Sequence, residues 1–531
     1  MLTSPEKQGS FYDAQYICEK LIPPESFYRK FKEIIDPLIQ DKDFASMYCI
    51  DNGRPPISPG LLAKAMILQF YKDYSDRDME RACMYDIEIK YALGLRLDER
   101  AFDHSSLGDF RKRLHKSEKE KAVFDKVLNQ LIAQKLIKED EVQRIDATHV
   151  IADVAIPTMV TLVKKGTREV LKSLKGQKKE VFNVLESEID MNEYARESVN
   201  DDAPGRMDIE NRKKKLVQVV NDARRVLKQT KEIKANRELR KKIELLERIL
   251  QENITEDEQG EPVEQEYKKK PSDLLVSPID EDARYGAKSK TKRFTGYKAN
   301  ITEGVENRFI TNIKAMRGNK RDGDDMVALM REQKANGLKP HKIIGDTAYS
   351  DGKYRRELME DHVQVVAPLR TTNSRSKDVF PKRMFKYNEE KQTLMCPQGV
   401  ETKASWIDDQ KQIKVFHFPM PVCQKCKVFR QCTKSKDNRR TVGISMVNTE
   451  LREAEVYNMT DAFKEDMKLR PMVEGKLSEL VRYHGLRRAR YRGLQKVNLQ
   501  CYFTAAAVNI KRWIKLLAAK IKPDREVQFA F

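Results

Sequence analysis

A chain of 531 residues is too long for one hydrophobic core, so several structural units of roughly 100 to 200 residues each are expected. Its 40% hydrophobic and 35% charged residues leave enough apolar side chains for packed cores while placing part of the charge on long solvated helices. The balance of 102 Lys+Arg against 82 Asp+Glu, +20 in all, favours a polyanionic partner, with nucleic acid the first candidate. No window approaches 18 uninterrupted apolar residues, and the start MLTSPEKQGSFYDAQYICEK lacks the basic-then-apolar pattern of a secretory signal. The reading is therefore a cytoplasmic, nucleoid-associated protein.

Residues 57–114 read as short helices with clear start signals. In SPGLLAKAMILQFY, Ser58 caps and Pro59 takes the first helical position; in SDRDMERACMYD, Ser75 and Asp78 form a capping box. A third helix starts in DHSSLGDFRKRL with Ser105 as its cap, and it ends in Arg111, Lys112 and Arg113. Such a module either holds DNA, with Arg111 and Arg113 on phosphates, or is an ordinary helical bundle, and the residues alone do not choose.

RIDATHVIADVA, residues 144–155, has the Ile, Val and Ala of a buried strand, yet it carries Asp146. A carboxylate there must be paired, neutralised, solvated at the strand end or bound to a metal. Asp153 lies an odd number of residues away and points to the other face of a regular strand. From residue 160 to 280 the chain turns charged and helical. Leu216, Val219, Ala223, Val226 and Ile233, then Leu239, Ile243, Leu246 and Leu250, recur at heptad-like spacing and suggest a long helical hairpin, separated from an earlier helical part by Pro204 and Gly205.

Two β-rich runs, 296–302 and 308–316, flank the turn EGVEN and read as a hairpin. HKIIGDTAYSDGKYRREL then passes from a short strand to a helix, and VQVVAPLR is one more buried strand. Asp346 stands where the first of these strands ends, the place where ligands gather in open sheets with helical crossovers. No basic residue lies within three positions of it.

The eight cysteines argue against a disulfide framework, because four of them crowd together. LMCPQG supplies Cys396 and PVCQKCKVFRQC supplies Cys423, Cys426 and Cys432, a C-x2-C pair with two outlying thiols. This set fits a tetrahedral structural zinc site of ribbon type, with free reduced cysteines as the alternative.

In RPMVEGKLSELVRYHGLRRARYRGLQK, Pro471 suits a first helical turn, and Val473, Leu477, Leu480 and His484 form one stripe bordered by Glu474. Two strand carboxylates and one helix carboxylate suit a pair of Mg²⁺ ions, held about 4 Å apart for phosphodiester chemistry. No H-x-E, H-E-x-x-H or phosphate-binding G-x-x-x-x-G-K-[ST] motif occurs. From Arg470 to Lys522 there are 13 Lys+Arg against 2 Asp+Glu. Arg487, Arg488, Arg490 and Arg492 around Tyr491 suit phosphate contact, a solvated basic face being the bland alternative. Leu499, Phe503, Ala506, Ile510, Trp513 and Leu517 mark a core helix.

RIDATHVIADVAIP, GYKANI, IIGDTAYSDGKYR and RPMVEGKLSELVRYHGLRRARYRGL together resemble bacterial insertion-sequence transposases of the DDE type, over about 53–513. The resemblance implies an α/β, ribonuclease-H-like catalytic core preceded by a helical N-terminal domain, and cutting and joining of double-stranded DNA. It makes Asp146, Asp346 and Glu474 the metal-binding triad, for two Mg²⁺ ions with Mn²⁺ as a substitute, and implies at least a dimer on two DNA ends. Relatives carry Tyr, Arg, Glu and Lys around the third acid; this chain matches at Arg470 and Glu474, has Met467 and Val481 at the outer positions, and offers Arg482 in place of the Lys. With Lys496, these basic residues complete the expected DNA contacts. The implied organisation is a helical DNA-binding domain (1–135), a core in two parts (136–159 and 281–372), a helical insertion (160–280), a cysteine-rich, zinc-ribbon-like insertion (373–445) and a C-terminal helical part (446–531).

Overall fold

The structure is a computed structural model that describes residues 11–48, 56–154, 158–195, 208–267, 271–288, 291–370, 379–410, 412–435 and 437–520. The break expected at Pro204 and Gly205 lies outside the described residues.

The fold is mixed α/β. In the N-terminal part, Ser58 accepts from the Leu61 amide at 3.0 Å and starts helix Pro59–Lys72. Ser75 and Asp78 exchange hydrogen bonds at the head of Asp76–Tyr85. The third start differs from expectation: helix His104–Lys116 is capped by Asp103, whose carboxylate accepts from the Ser105 amide at 2.9 Å. An anionic cap two residues upstream adds charge–dipole attraction that a Ser hydroxyl lacks.

Among the described residues, six strands form the principal sheet: β1 (Gln143–Ile151), β2 (Arg284–Ala287), β3 (Arg293–Gly304), β4 (Ile310–Arg317), β5 (Lys342–Ile344) and β6 (Gln364–Val366). β1 is central, antiparallel to β3 on one side and parallel to β5 on the other. β6 continues in parallel beyond β5, while β2 and β4 both pair antiparallel with β3. Reversal between β3 and β4 needs only a short turn, at residues 305–309 and so two residues beyond the predicted EGVEN, whose Glu303 and Gly304 belong to β3; β5 and β6 are joined through helix Gly352–Glu360.

On one face of the sheet a single apolar cluster runs from Val150, Ile301 and Ile313 through helix Leu494–Lys520 to Phe31, Met66, Phe110 and Leu128 of the N-terminal helices. The predicted stripe Leu499, Phe503, Ala506, Ile510 and Trp513 is buried in it, with Leu517 partly so. Helical front and sheet therefore share one core, and Phe503→Ala would cost about 3–5 kcal/mol at their junction. The opposite face packs Ile145, Ile343 and Val365 against Met326, Met330 and Leu358.

Between β1 and β2, helices Met159–Gln177, Ile209–Thr230 and Arg237–Asn253 build a separate core. The heptad-spaced Leu216, Val219, Ala223, Val226, Leu239 and Leu246 are buried, and the last two helices do form a hairpin. Their apolar stripe is covered within the chain, by helix Met159–Gln177. Gly166 makes that approach close: a Cβ there would stand 2.8 Å from Ile249 Cδ1. Residues 379–445 carry two small three-stranded sheets around Phe385, Leu394, Phe416, Phe418 and Val442.

Candidate active site

β1 presents Asp146 opposite Ile301 of β3, on the side chain's largely covered face. Asp346 follows β5, where its Oδ1 caps a short 3-10 turn by accepting from the Ala348 amide at 2.7 Å. Glu474 lies in the first turn of helix Met472–Tyr483, whose Val473, Leu477, Leu480 and His484 stripe is buried as expected. That burial leaves Glu474 on the helix's open flank, 59% exposed.

The three carboxylates meet around one guanidinium. Arg470 lies 2.6 Å from Glu474, 3.2 Å from Asp146 and 3.9 Å from Asp346. Burial pushes the Asp146 carboxyl up to about 6; the charges of Asp346 and Asp322 add to the rise, and the Ala147 amide and Arg470 oppose it. A carboxylate set with more negative charge than one arginine balances, and oxygen as its only donor, suits a hard divalent cation. With the guanidinium between them, the three acids do not all come within 4.8 Å of one another, whereas Glu80, Asp103 and His104, the metal-sized group among the described residues, do. That second group is already engaged in ion pairs, Glu80 with Arg100 at 2.8 Å and with His104 at 2.9 Å.

Lys298 and Asn300 of β3, which the sequence reading passed over, lie nearby on the opposite face of the sheet from Asp146, since Asn300 pairs with Ala147. Asn300 in GYKANI accepts from the Tyr349 hydroxyl at 2.7 Å and donates to the Asp322 carbonyl, and Lys298 pairs with the Asp322 carboxylate at 2.7 Å. Burial, then the charges of Asp146, Asp322 and Asp346, hold the Tyr349 hydroxyl protonated. Polar Lys298, Asn300 and Thr302 at alternate positions of β3 were the available signal.

The basic segment docks beside β1. The Ile151 amide donates to the Arg487 carbonyl and the Ala489 amide to the Ile151 carbonyl, both at 2.8 Å. Arg482, Arg488, Arg492 and Lys496 are exposed, as is Arg113, which stacks on Tyr48. Arg487 is half-buried on the His149 carbonyl at 2.8 Å. Two expected DNA contacts are otherwise committed. Arg111 is 9% exposed, with both terminal nitrogens on Asp76 and its guanidinium over Tyr491; Arg490 bonds Asp73 and the Tyr74 carbonyl and stacks on Phe70. Both link the basic segment to the N-terminal helices.

Cys396, Cys423, Cys426 and Cys432 line one pocket with Phe380, Phe418 and Val428. None is in a disulfide. Burial raises the Cys432 thiol, and Cys423, Cys396 and Cys426 raise it further, as four converging thiols do. Their sulfurs do not form a set within 4.8 Å of one another.

Among the described residues no helix is long and apolar enough to cross a membrane. Residues 16–113 match the family described as Transposase domain (DUF772), and residues 395–514 match the family described as Transposase DDE domain. Arg470, Glu474 and the four clustered cysteines lie inside the second match, whereas Asp146 and Asp346 lie outside both. No curated protein and no solved structure matches the chain.

Proposed function

The two matched families support an insertion-sequence transposase of the DDE type, and from that premise we propose that this chain binds the ends of its own element, cuts them and joins the freed ends to target DNA. The observation that carries the reading is the meeting of Asp146, Asp346 and Glu474 around Arg470, from a strand, the turn after another strand and a helix far apart in sequence. The sheet order, with β4, β3 and β1 antiparallel and β5 and β6 parallel to β1, supports a ribonuclease-H-like core.

Asp146, Asp346 and Glu474 would hold two Mg²⁺ ions, or Mn²⁺ in their place. Such ions supply an activated water or 3′-hydroxyl and stabilise the leaving oxygen. The chain's own residues do the rest. Ala147 and Ala348 amides hold one oxygen of each Asp and so aim the other. Exposed Arg488 and Arg492, beside the end of β1, and exposed Lys496 bind the DNA backbone. The four clustered cysteines, whose sulfurs would have to draw closer together, would hold a structural zinc that ties residues 379–445 together. Two element ends require two active sites, so the working form is a dimer or larger.

Linear DNA bearing the element's terminal repeats, incubated with Mg²⁺ or Mn²⁺ and a target plasmid, tests this. Cuts at the repeat boundary together with joined products are expected. Cuts without joined products would make the chain a nuclease, and end binding without cuts would make it a DNA-binding protein on a catalytic fold.

A further inference from the structure

Glu474 is exposed, and its hydrogen-bonding partner is Arg470, so its position depends on where the helix that carries it begins. Two arginines fix that beginning. Arg144, two residues before Asp146 on β1, donates to the Leu469 carbonyl at 3.1 Å; Arg308, in the turn between β3 and β4, donates to the Met472 carbonyl at 2.9 Å. These carbonyls stand on either side of Arg470 and Pro471.

Both arginines converge on Glu303 at the end of β3. Arg308 Nε lies 3.2 Å from Glu303 Oε1, and Arg144 Nε lies 3.6 Å from Glu303 Oε2. Arg144 and Glu303 have fully buried side chains. Arg144 also donates to the Gly304 and Val305 carbonyls. Gly475 leaves open the space next to Arg308, since a Cβ there would already touch its Nη2 at 3.5 Å.

Burying charges in this way is costly, and apolar side chains would pack the same space more cheaply, so the arrangement calls for a role in position rather than in stability. We propose that Arg144, Glu303 and Arg308 form a positioning bracket that sets the distance of Arg470 and Glu474 from Asp146, and thereby the metal affinity of the acid trio. The inference rests on the reading of those acids as a metal centre. The bracket ties the strand that carries the first acid to the helix that carries the third. Groups that orient metal ligands through their own hydrogen bonds typically change metal affinity by about 10–100-fold when removed.

The test is Mn²⁺ binding to the full-length chain, followed by electron paramagnetic resonance, in the wild type and in Arg308→Met, Arg308→Lys and Asp346→Ala, with metal-free melting curves alongside. Mn²⁺ bound by the wild type and lost in Asp346→Ala defines the site. Arg308→Met is expected to bind it about 10-fold more weakly. Arg308→Lys keeps the charge near Glu303 but cannot fork between Glu303 and the Met472 carbonyl, so it falls in between. Should Arg308→Met fail to fold, the lysine variant decides: weakened binding supports the bracket, and wild-type binding overturns it. Folded Arg308→Met with a lowered melting temperature and unchanged Mn²⁺ affinity would make the bracket of Arg144, Glu303 and Arg308 merely structural and overturn the proposal. If Asp346→Ala binds Mn²⁺ like the wild type, the metal-centre reading itself falls, and the bracket with it.

Discussion

Arg470 reaches Asp146 at 3.2 Å while the same guanidinium holds Glu474 at 2.6 Å. A fixed organic cation thus stands among the acids proposed to bind metal. Removing it leaves the mostly buried Asp146 without its cationic partner, which costs about 1–3 kcal/mol. Arg470→Ala should therefore melt at a lower temperature in EDTA and gain more than the wild type from added Mg²⁺, because the ion takes over the guanidinium's work. Equal Mg²⁺-induced shifts in the two proteins would refute this.

The basic residues separate into two experimental classes. Arg111, covered and held by Asp76, should act on stability: Arg111→Met is expected to cost about 3–5 kcal/mol, the penalty for breaking a buried pair, and to leave the salt slope of DNA binding unaltered. Arg488 and Lys496 are exposed, and replacing either with Ala should leave melting unchanged while lowering the salt slope by about one phosphate's worth. Denaturant melts and binding titrations at several salt concentrations read both.

His149, three residues beyond Asp146, is neutral in the fold. Burial, then the charges of Arg487 and Lys288, hold its imidazole down to about 4, whereas the unfolded chain protonates near its ordinary value of 6.5. The unfolded state therefore binds more protons between these values. The stability due to neutral His149 is fully present above pH 6.5 and is lost as pH falls toward about 4. His149→Gln should show a flatter acid limb across this window in melting temperature against pH, and a limb as steep as the wild type's would count against the assignment.

The cysteines should divide by environment. Burial pushes the Cys83 and Cys501 thiols up to about 12, so both should resist a thiol-reactive probe in the folded chain. The four pocket thiols should bind one zinc ion per chain, measurable by elemental analysis and lost in Cys426→Ser. Zinc-loaded protein that still labels at Cys423 and Cys426 as readily as stripped protein would exclude ligation by that pair.

What the sequence revealed and what it hid follow from locality. Asp146 stood out as a charge in an apolar run, Asp346 as a strand-end acid and Glu474 as the edge of a helical stripe, and each signal lies within a dozen residues. The shared cation was half visible, since Arg470 lies one helical turn before Glu474, but its reach to Asp146 depends on tertiary approach. The partner of Arg111 was invisible because Asp76, which holds it, lies in another helix. The heptad stripe from Leu216 to Leu250 was read correctly as apolar, while the helix that covers it, Met159–Gln177, could not be inferred from spacing. Asp103 displaced Ser105 as a cap because two good capping residues stood two positions apart. Asn300 and Tyr349, joined across the sheet, left only the faint trace of a polar residue in β3.

The most direct measurement is cleavage of labelled element-end DNA by the wild type and by Asp346→Asn, with Mg²⁺ or Mn²⁺. The amide keeps an oxygen for the cap on Ala348 and removes the charge from the acid trio. Metal-dependent cuts at the repeat boundary, absent in the variant although it still binds the ends, are expected. Equal cutting by both proteins, or end binding by the wild type with no cutting under either metal, would contradict a catalytic centre built on Asp146, Asp346 and Glu474.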